Sequence, residues 1–332
     1  MTGGPATPRL AVSFDPGGHG RALLAEILAG TAEAAYIAGL DDAARAAVLR
    51  DSAVLLTRNT ARELRPQELA LLRGMKLVQF LSAGLDFIPL ADLPPEVPVA
   101  NNAGAYAEPM AEHAVALALA AAKRLLVEHG NLAEGRFNQG TMNRMLAGSV
   151  CGIFGFGGIG QATGRLMHCL GMRVHAINRR GATPEPVEWI GTPDRLPALL
   201  AAADVLVISA PLTPATRGVI DARALSLMKP DAILVNLARG EIIEEAALYR
   251  HLQANPGFTA CLDAWWVEPV RHGAFRMDHP FLALPNVIGS PHNSASVASS
   301  SEAGLRHAAE NCLRVLLGEA ALNLVRPEDR MI

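Results

Sequence analysis

Apolar residues in this chain fall into short, nearly unbroken runs set between longer Ala/Leu-rich stretches. Ten of the runs read as strands: Leu10–Phe14, Ala53–Thr57, Lys76–Phe80, Val97–Ala100, Val150–Phe154, Met172–Asn178, Asp204–Ser209, Ala232–Asn236, Phe258–Leu262 and Asn286–Gly289. Most are apolar at consecutive positions, so both faces must be covered, as in a parallel sheet flanked by helices. Strand–helix alternation along the whole chain predicts an α/β, doubly wound fold. The series occurs twice. One βα series fills roughly the first hundred residues, a length typical of a small domain. The other begins at Val150, after a long helix expected over Ala107–Glu128. A second Ala-rich helix is expected over Val297–Leu317. Two helices at the joints predict two lobes crossed twice, with residues 1–106 and 294–332 in one and 107–293 in the other. A ligand cleft between such lobes is the default expectation.

Composition narrows the picture. Of 332 residues, 50% are apolar and 18% charged, which is globular rather than disordered. A net charge of -3 and the lack of a basic stripe argue against a nucleic-acid partner. The four cysteines, Cys151, Cys169, Cys261 and Cys312, form no CxxC pair. They read as buried reduced thiols, with neither a disulfide framework nor a metal site expected. Met1 to Arg9 has no apolar core of signal-peptide length. The most apolar long stretch, Ala111–Val127, contains Glu112, His113, Lys123 and Arg124 and reads as a buried helix, not a membrane span. A cytoplasmic protein with no membrane partner is expected.

The run Val150–Phe154 leads straight into Gly155-Phe156-Gly157-Gly158-Ile159-Gly160, and a helical stretch follows. GxGxxG between a strand and a helix is a dinucleotide-binding signature. Gly155 permits the turn, Gly157 lets the main chain approach a pyrophosphate, and Gly160 lets the helix pack on the strand. Amides of Gly158 and Ile159 would face the phosphates. The next strand ends at Asn178-Arg179-Arg180. Asn178 lies 23 residues after Gly155, where an NAD site places a carboxylate on the ribose 2'-hydroxyl. Asn does not repel a 2'-phosphate, and Arg179 and Arg180 can pair with one. NADP(H) is therefore the expected cofactor, with NAD(H) the alternative if these arginines only decorate a solvated turn.

Three further segments stand at the ends of expected strands, where open α/β sheets bind ligands. Asn236-Leu237-Ala238-Arg239-Gly240 offers a guanidinium able to clamp a carboxylate, with Gly240 easing the turn. Asp263-Ala264-Trp265-Trp266-Val267-Glu268-Pro269 offers two carboxylates, and Glu268 can orient a histidine. Gly289-Ser290-Pro291-His292-Asn293 carries, of ten histidines, the one best placed for proton transfer. Taken singly, each has a plainer reading as a surface ion pair, a turn-initiating Asp or a structural loop histidine. Together they supply what reduction of a 2-oxo acid demands. Hydride addition to the carbonyl carbon builds charge on oxygen, which needs a proton donor and an electrostatic clamp. His292 would be the acid or base, Glu268 its support, and Arg239 the carboxylate and carbonyl clamp.

These segments, in this order, resemble the D-isomer-specific 2-hydroxyacid dehydrogenase family over nearly the whole chain. Leu81-Ser82-Ala83-Gly84-Leu85-Asp86, the Asn102–His113 stretch and Pro211-Leu212-Thr213-Pro214 extend the likeness. It implies a Rossmann-like nucleotide lobe and a smaller flavodoxin-like substrate lobe, joined by the two helices. It implies Arg239, Glu268 and His292 as the catalytic set. Asp263 is implied to touch the nicotinamide carboxamide, amides near Ser82, Ala83 and Gly84 to bind the substrate carboxylate, and Pro211, Leu237 and Ala238 to line the cofactor groove. A homodimer with a movable cleft and a small 2-oxo or 2-hydroxy acid substrate are also implied. Asn178 departs from the usual acid, as in relatives similar to glyoxylate and hydroxypyruvate reductases. The segment Val270–Phe281, with Arg271, His272, Arg276 and His279, is less generic and reads either as a substrate-selecting element or as a polar surface loop. Two rival functions stay open at this point. One is formate or phosphite oxidation on the same fold. The other is a dinucleotide-sensing scaffold, against which stands the expectation that the two lobes use up the chain.

Overall fold

A computed structural model describes residues 7–329. The chain divides into two compact units, Met1–Tyr106 with Val297–Ile332, and Ala107–Ser296. Each is an α/β layer structure built on one parallel sheet.

The first unit contains β1 (Arg9–Val12), β2 (Glu33–Tyr36), β3 (Val54–Thr57), β4 (Leu77–Phe80) and β5 (Val99–Ala100). They pair in the order β2-β1-β3-β4-β5, all parallel. This is the flavodoxin-like arrangement. Side chains alternate across a strand, and both sides are used here. Leu10, Val12, Val54 and Leu56 enter one core with Leu24, Leu28, Ala308 and Ala309 from the helices Gly17–Leu28 and Ser300–Leu316. Ala11, Leu55 and Val78 enter the other, with Leu49 and Leu72. Two buried faces explain why these strands read as continuous apolar runs.

The second unit contains β6 (Val150–Phe154), β7 (Arg173–Ile177), β8 (Trp189–Gly191), β9 (Val205–Ile208), β10 (Ile233–Asn236), β11 (Thr259–Leu262) and β12 (Val287–Gly289). Their order is β12-β11-β10-β9-β6-β7-β8, again parallel. The direction of winding reverses between β6 and β9, and such a switch point is where doubly wound sheets bind dinucleotides. Ala107, Ala111 and Ala162 let the helices Ala107–Ala122 and Gly158–Cys169 pack closely.

Both sheets thus match the expected fold class, with three departures. The strands β2 (Glu33–Tyr36) and β8 (Trp189–Gly191) escape the apolar-run reading because each is short, only partly buried and not apolar over a strand's length. The helix expected over Ala107–Glu128 ends at Ala122, and a separate one spans Leu125–Ala133. Arg124 between them is left-handed (φ 53°), and the carbonyl of Ala122 accepts the amide of Arg144 (2.9 Å) instead of an amide of its own helix. Cys151, Cys261 and Cys312 are buried, but Cys169 is exposed on the last turn of its helix. Burial pushes the Cys151 and Cys261 thiols up to about 12, so both stay protonated. No helix among the described residues is long and apolar enough to cross a membrane.

Candidate active site

The glycine loop forms the turn out of β6. Gly155 is left-handed (φ 105°), and a Cβ there would stand 2.2 Å from the amide nitrogen of Ala210. The loop after β9 therefore lies directly against it, tied by Ser209 Oγ donating to the Gly155 carbonyl (2.8 Å). Exposed Pro211 follows immediately. A Cβ on Gly160 would meet the Gly155 carbonyl oxygen at 2.4 Å, so the helix packs on the turn as the spacing demands. At Gly157, by contrast, a Cβ would meet nothing within 4 Å. Open space above Gly157 and the first-turn amides of helix Gly158–Cys169, which lack intrahelical acceptors, fit a pyrophosphate.

At the end of β7, Asn178 is half-buried and its side chain builds a turn. Nδ2 donates to the Ala182 carbonyl (2.9 Å) and Oδ1 accepts the Arg180 amide (2.9 Å). Arg179 and Arg180 are exposed on that turn. Asn178 thus shapes the turn after β7 with the side chain that was expected not to repel a 2'-phosphate.

The three post-strand segments lie on adjacent strands, because β10 pairs with β11 and β11 with β12. His292 Nδ1 is 2.8 Å from both Glu268 carboxylate oxygens. An ionised carboxylate only accepts, so Nδ1 carries the proton, and Nε2 is the nitrogen whose proton content can change. Glu268 Oε1 also accepts the Trp265 amide (2.8 Å). Burial works to raise the Glu268 carboxyl. The bonds from His292 and Trp265, and the charges of His292 and Arg239, overcome it and hold the group below its usual 4.5. Half-buried Arg239 therefore acts on the same carboxylate that grips His292, and its Nη1 donates to the Ala238 carbonyl (2.8 Å). Gly240 has no left-handed backbone. It is required for another reason: a Cβ there would stand 2.4 Å from the Trp265 carbonyl carbon.

Asp263 is fully buried. Its carboxylate accepts Ser290 Oγ (2.6 Å) and the amides of Asn293 (3.1 Å) and Ser294 (3.2 Å). Burial acts to raise this carboxyl too, and the bonds from Ser290 and Ser294 with the charges of His113 and His292 hold it below 3.8. His292 between these anchors is left-handed (φ 51°), which costs a non-glycine residue about 1–2 kcal/mol. Two successive amides turned onto one carboxylate make an anion nest that offsets the strain. Asp263, expected from the resemblance to meet a nicotinamide, has its oxygens engaged in shaping the His292 loop. Leu237, expected to line the cofactor groove, is 1% exposed. Sequence reasoning missed His113, whose Nε2 lies 3.0 Å from Ser290 Oγ, 177 positions away.

In the first unit, Ser82, Ala83 and Gly84 are half-buried in the loop after β4. That loop is pinned by Asn102, whose amide donates to the Ser82 carbonyl (2.9 Å) and whose Nδ2 donates to the Leu81 carbonyl (3.2 Å). Tyr106 Oη donates to the same Leu81 carbonyl (2.9 Å), and His307 Nδ1 sits 2.8 Å from Asn102 Oδ1. No local pattern marks Asn102, Tyr106 and His307 as a group.

The family model "D-isomer specific 2-hydroxyacid dehydrogenase, NAD binding domain" matches residues 115–294, more than half of the chain. The chain belongs to the D-isomer specific 2-hydroxyacid dehydrogenase family. Among curated members of this family, it is 32% identical to hydroxypyruvate reductase of Thermotoga maritima, over 69% of this chain and 73% of that one. It is also 32% identical to D-3-phosphoglycerate dehydrogenase of Methanocaldococcus jannaschii over 83% of its own length, but spans only 52% of that longer protein. Among solved structures it is similar to a D-isomer specific 2-hydroxyacid dehydrogenase from Xanthobacter autotrophicus Py2, determined with NADPH and MES. That likeness has a TM-score of 0.77, with 28% identity over 97% of this chain and 99% of the other.

Proposed function

We propose that this protein transfers a hydride between NADP(H) and the α-carbon of a small 2-oxo or 2-hydroxy acid, of the glyoxylate or hydroxypyruvate kind. The observation that carries the reading is the Glu268–His292 pair at 2.8 Å with the charge of Arg239 on the same carboxylate. A bound nicotinamide would supply the hydride in reduction and take it in oxidation. When hydride adds to the carbonyl carbon, the C=O π bond breaks and its electron pair goes to oxygen. His292 gives that oxygen its Nε2 proton, completing the alcohol; in the reverse direction the same nitrogen accepts the hydroxyl proton. Glu268 keeps the ring in one tautomer and stabilises the imidazolium before transfer. Arg239 clamps the substrate carboxylate and polarises the carbonyl. Amides at Ser82, Ala83 and Gly84 in the first unit are the proposed carboxylate contacts there. Residues 1–106 and 294–332 would serve the substrate, and 107–293 the nucleotide.

NADP(H) is favoured because the turn after β7 holds Asn178, Arg179 and Arg180 and no carboxylate. The Xanthobacter relative's complex with NADPH supports the same choice. The homodimer is proposed on a separate observation. Leu125, Leu126, Leu132, Phe137, Met142 and Met145 are all exposed along one stretch of the second unit, Phe137 at 77% and Met142 at 87%. Exposed apolar clusters of that kind mark association surfaces.

The test is a panel of glyoxylate, hydroxypyruvate, pyruvate and bulkier 2-oxo acids, run with NADPH and NADH side by side. Turnover of a small 2-oxo acid is expected, with kcat/KM at least about tenfold higher for NADPH, equivalent to ~1.4 kcal/mol. Preference for NADH would overturn the cofactor assignment. No turnover with either would overturn the reaction.

A further inference from the structure

The chain that leaves β10 and the chain that leaves β11 are fastened together beyond the ends of their strands. Gly240 touches the main chain of Trp265 and Trp266 directly, with room for no side chain. The Trp266 indole donates to the Ile243 carbonyl at 2.7 Å. Arg271 then closes on Glu241 with two parallel contacts, Nη2 to Oε1 at 2.7 Å and Nη1 to Oε2 at 3.0 Å. Both side chains are largely withdrawn from water, at 11% and 15% exposure. A two-pronged guanidinium–carboxylate pair fixes rotation as well as distance.

Arg271 lies in the one-turn helix Pro269–His272, which begins immediately after Glu268. The turn is closed onto Glu268 from both sides. His272 Nδ1 accepts the Glu268 amide (2.9 Å), and the His272 amide donates to the Glu268 carbonyl (2.8 Å). Movement of Arg271 is therefore movement of Glu268. At the other end, Glu241 is two residues from Arg239. We propose that Arg271 and Glu241 are positioning residues. Their ion pair sets the separation of the carboxylate clamp, Arg239, from the acid–base pair, Glu268 and His292. The inference rests on the reaction roles given to those three residues. It also assigns work to the Val270–Phe281 segment other than substrate selection.

The experiment uses the full chain in five forms besides wild type: Arg271→Met, Arg271→Lys, Glu241→Gln, the double neutral variant, and the charge swap Glu241→Arg/Arg271→Glu. Each is read by kcat and KM on the 2-oxo acid that wild type turns over best, by thermal midpoint, and by hydrogen exchange across residues 262–273. The single neutral variants should lose about 10- to 100-fold in kcat, the scale of a small misplacement of catalytic groups, with the KM for cofactor unchanged. Arg271→Lys should lose nearly as much, because an ammonium cannot make the two-pronged contact. The double neutral variant should be no worse than either single one, and the swap should recover most of the lost kcat. Exchange at the Trp265 and Glu268 amides should quicken in Arg271→Met. Wild-type kcat in Arg271→Met overturns the proposal, as does a loss explained entirely by a lowered thermal midpoint. If wild type turns over no 2-oxo acid, the reaction assignment has failed. Exchange then decides the brace alone, with unchanged rates in Arg271→Met overturning it.

Discussion

Two buried glutamates, one in each unit, have much in common and differ where it matters. Glu68 is held by Arg45 through contacts of 2.6 and 2.7 Å, with the Arg65 amide at 2.8 Å. Glu268 is held by His292 and the Trp265 amide at nearly the same distances. Both carboxyls lie below their ordinary value: Glu68 chiefly through the Arg45 bond, Glu268 against the push of burial. The partners are what separate them. Arg45 is 8% exposed, its remaining donors go to the carbonyls of Ile37 and Glu63, and Glu68 raises its already high pKa further. It never releases a proton. His292 is 32% exposed, and an imidazole, unlike a guanidinium, can both donate and accept a proton. A depressed carboxyl marks a well-held carboxyl. Only a partner that can pass a proton on and is open to solvent suits the role proposed for His292.

The contrast can be broken most directly at the partners. His292→Ala should lower kcat/KM by about 10²–10⁴-fold, the usual worth of a general acid, while the protein stays folded. Steady-state kinetics beside circular dichroism checks it, and normal turnover in that variant would remove the difference just drawn. Glu68→Ala should do the reverse. Leaving Arg45 buried and uncompensated should cost about 3–5 kcal/mol in urea unfolding, with turnover per folded molecule unchanged. A folded Glu68→Ala protein that has lost turnover would mean that both glutamates serve the reaction.

The smallest expected effect is in acid. Both groups have folded pKa values below 4.5. Each therefore adds stability that is complete above that value and disappears as pH falls through the lower folded value. The urea midpoint should drop on acidification below about 4.5. In His292→Ala the drop should be shallower, because part of what depresses Glu268 has gone. An acid dependence identical to wild type would show that the imidazole is not what depresses Glu268.

Features set by neighbours in the chain were legible before any coordinates. The glycine loop is one, since Gly160 answers to the Gly155 carbonyl within a single strand–turn–helix unit. Central strands are another, because burial on both faces leaves an unbroken apolar run. Strands β2 and β8 are only partly buried and left no comparable trace. Arg239, Glu268 and His292 could each be nominated because each follows a strand. What could not be read was the work done between segments. Asp263 reaches the amides of Asn293 and Ser294, Ser290 meets His113, and Arg271 meets Glu241. The first and last of these follow from the order of strands in the sheet, which brings residues far apart in the chain to neighbouring strand ends; the His113 contact follows from the helix Ala107–Ala122. Gly240 shows the limit well: its need for a bare α-carbon was visible, but the reason lay in Trp265.

The left-handed backbone at His292 has a consequence for how this protein can change. Glycine would sit there without strain but carries no imidazole. On the proposed roles, relief of that strain and turnover therefore pull residue 292 in opposite directions.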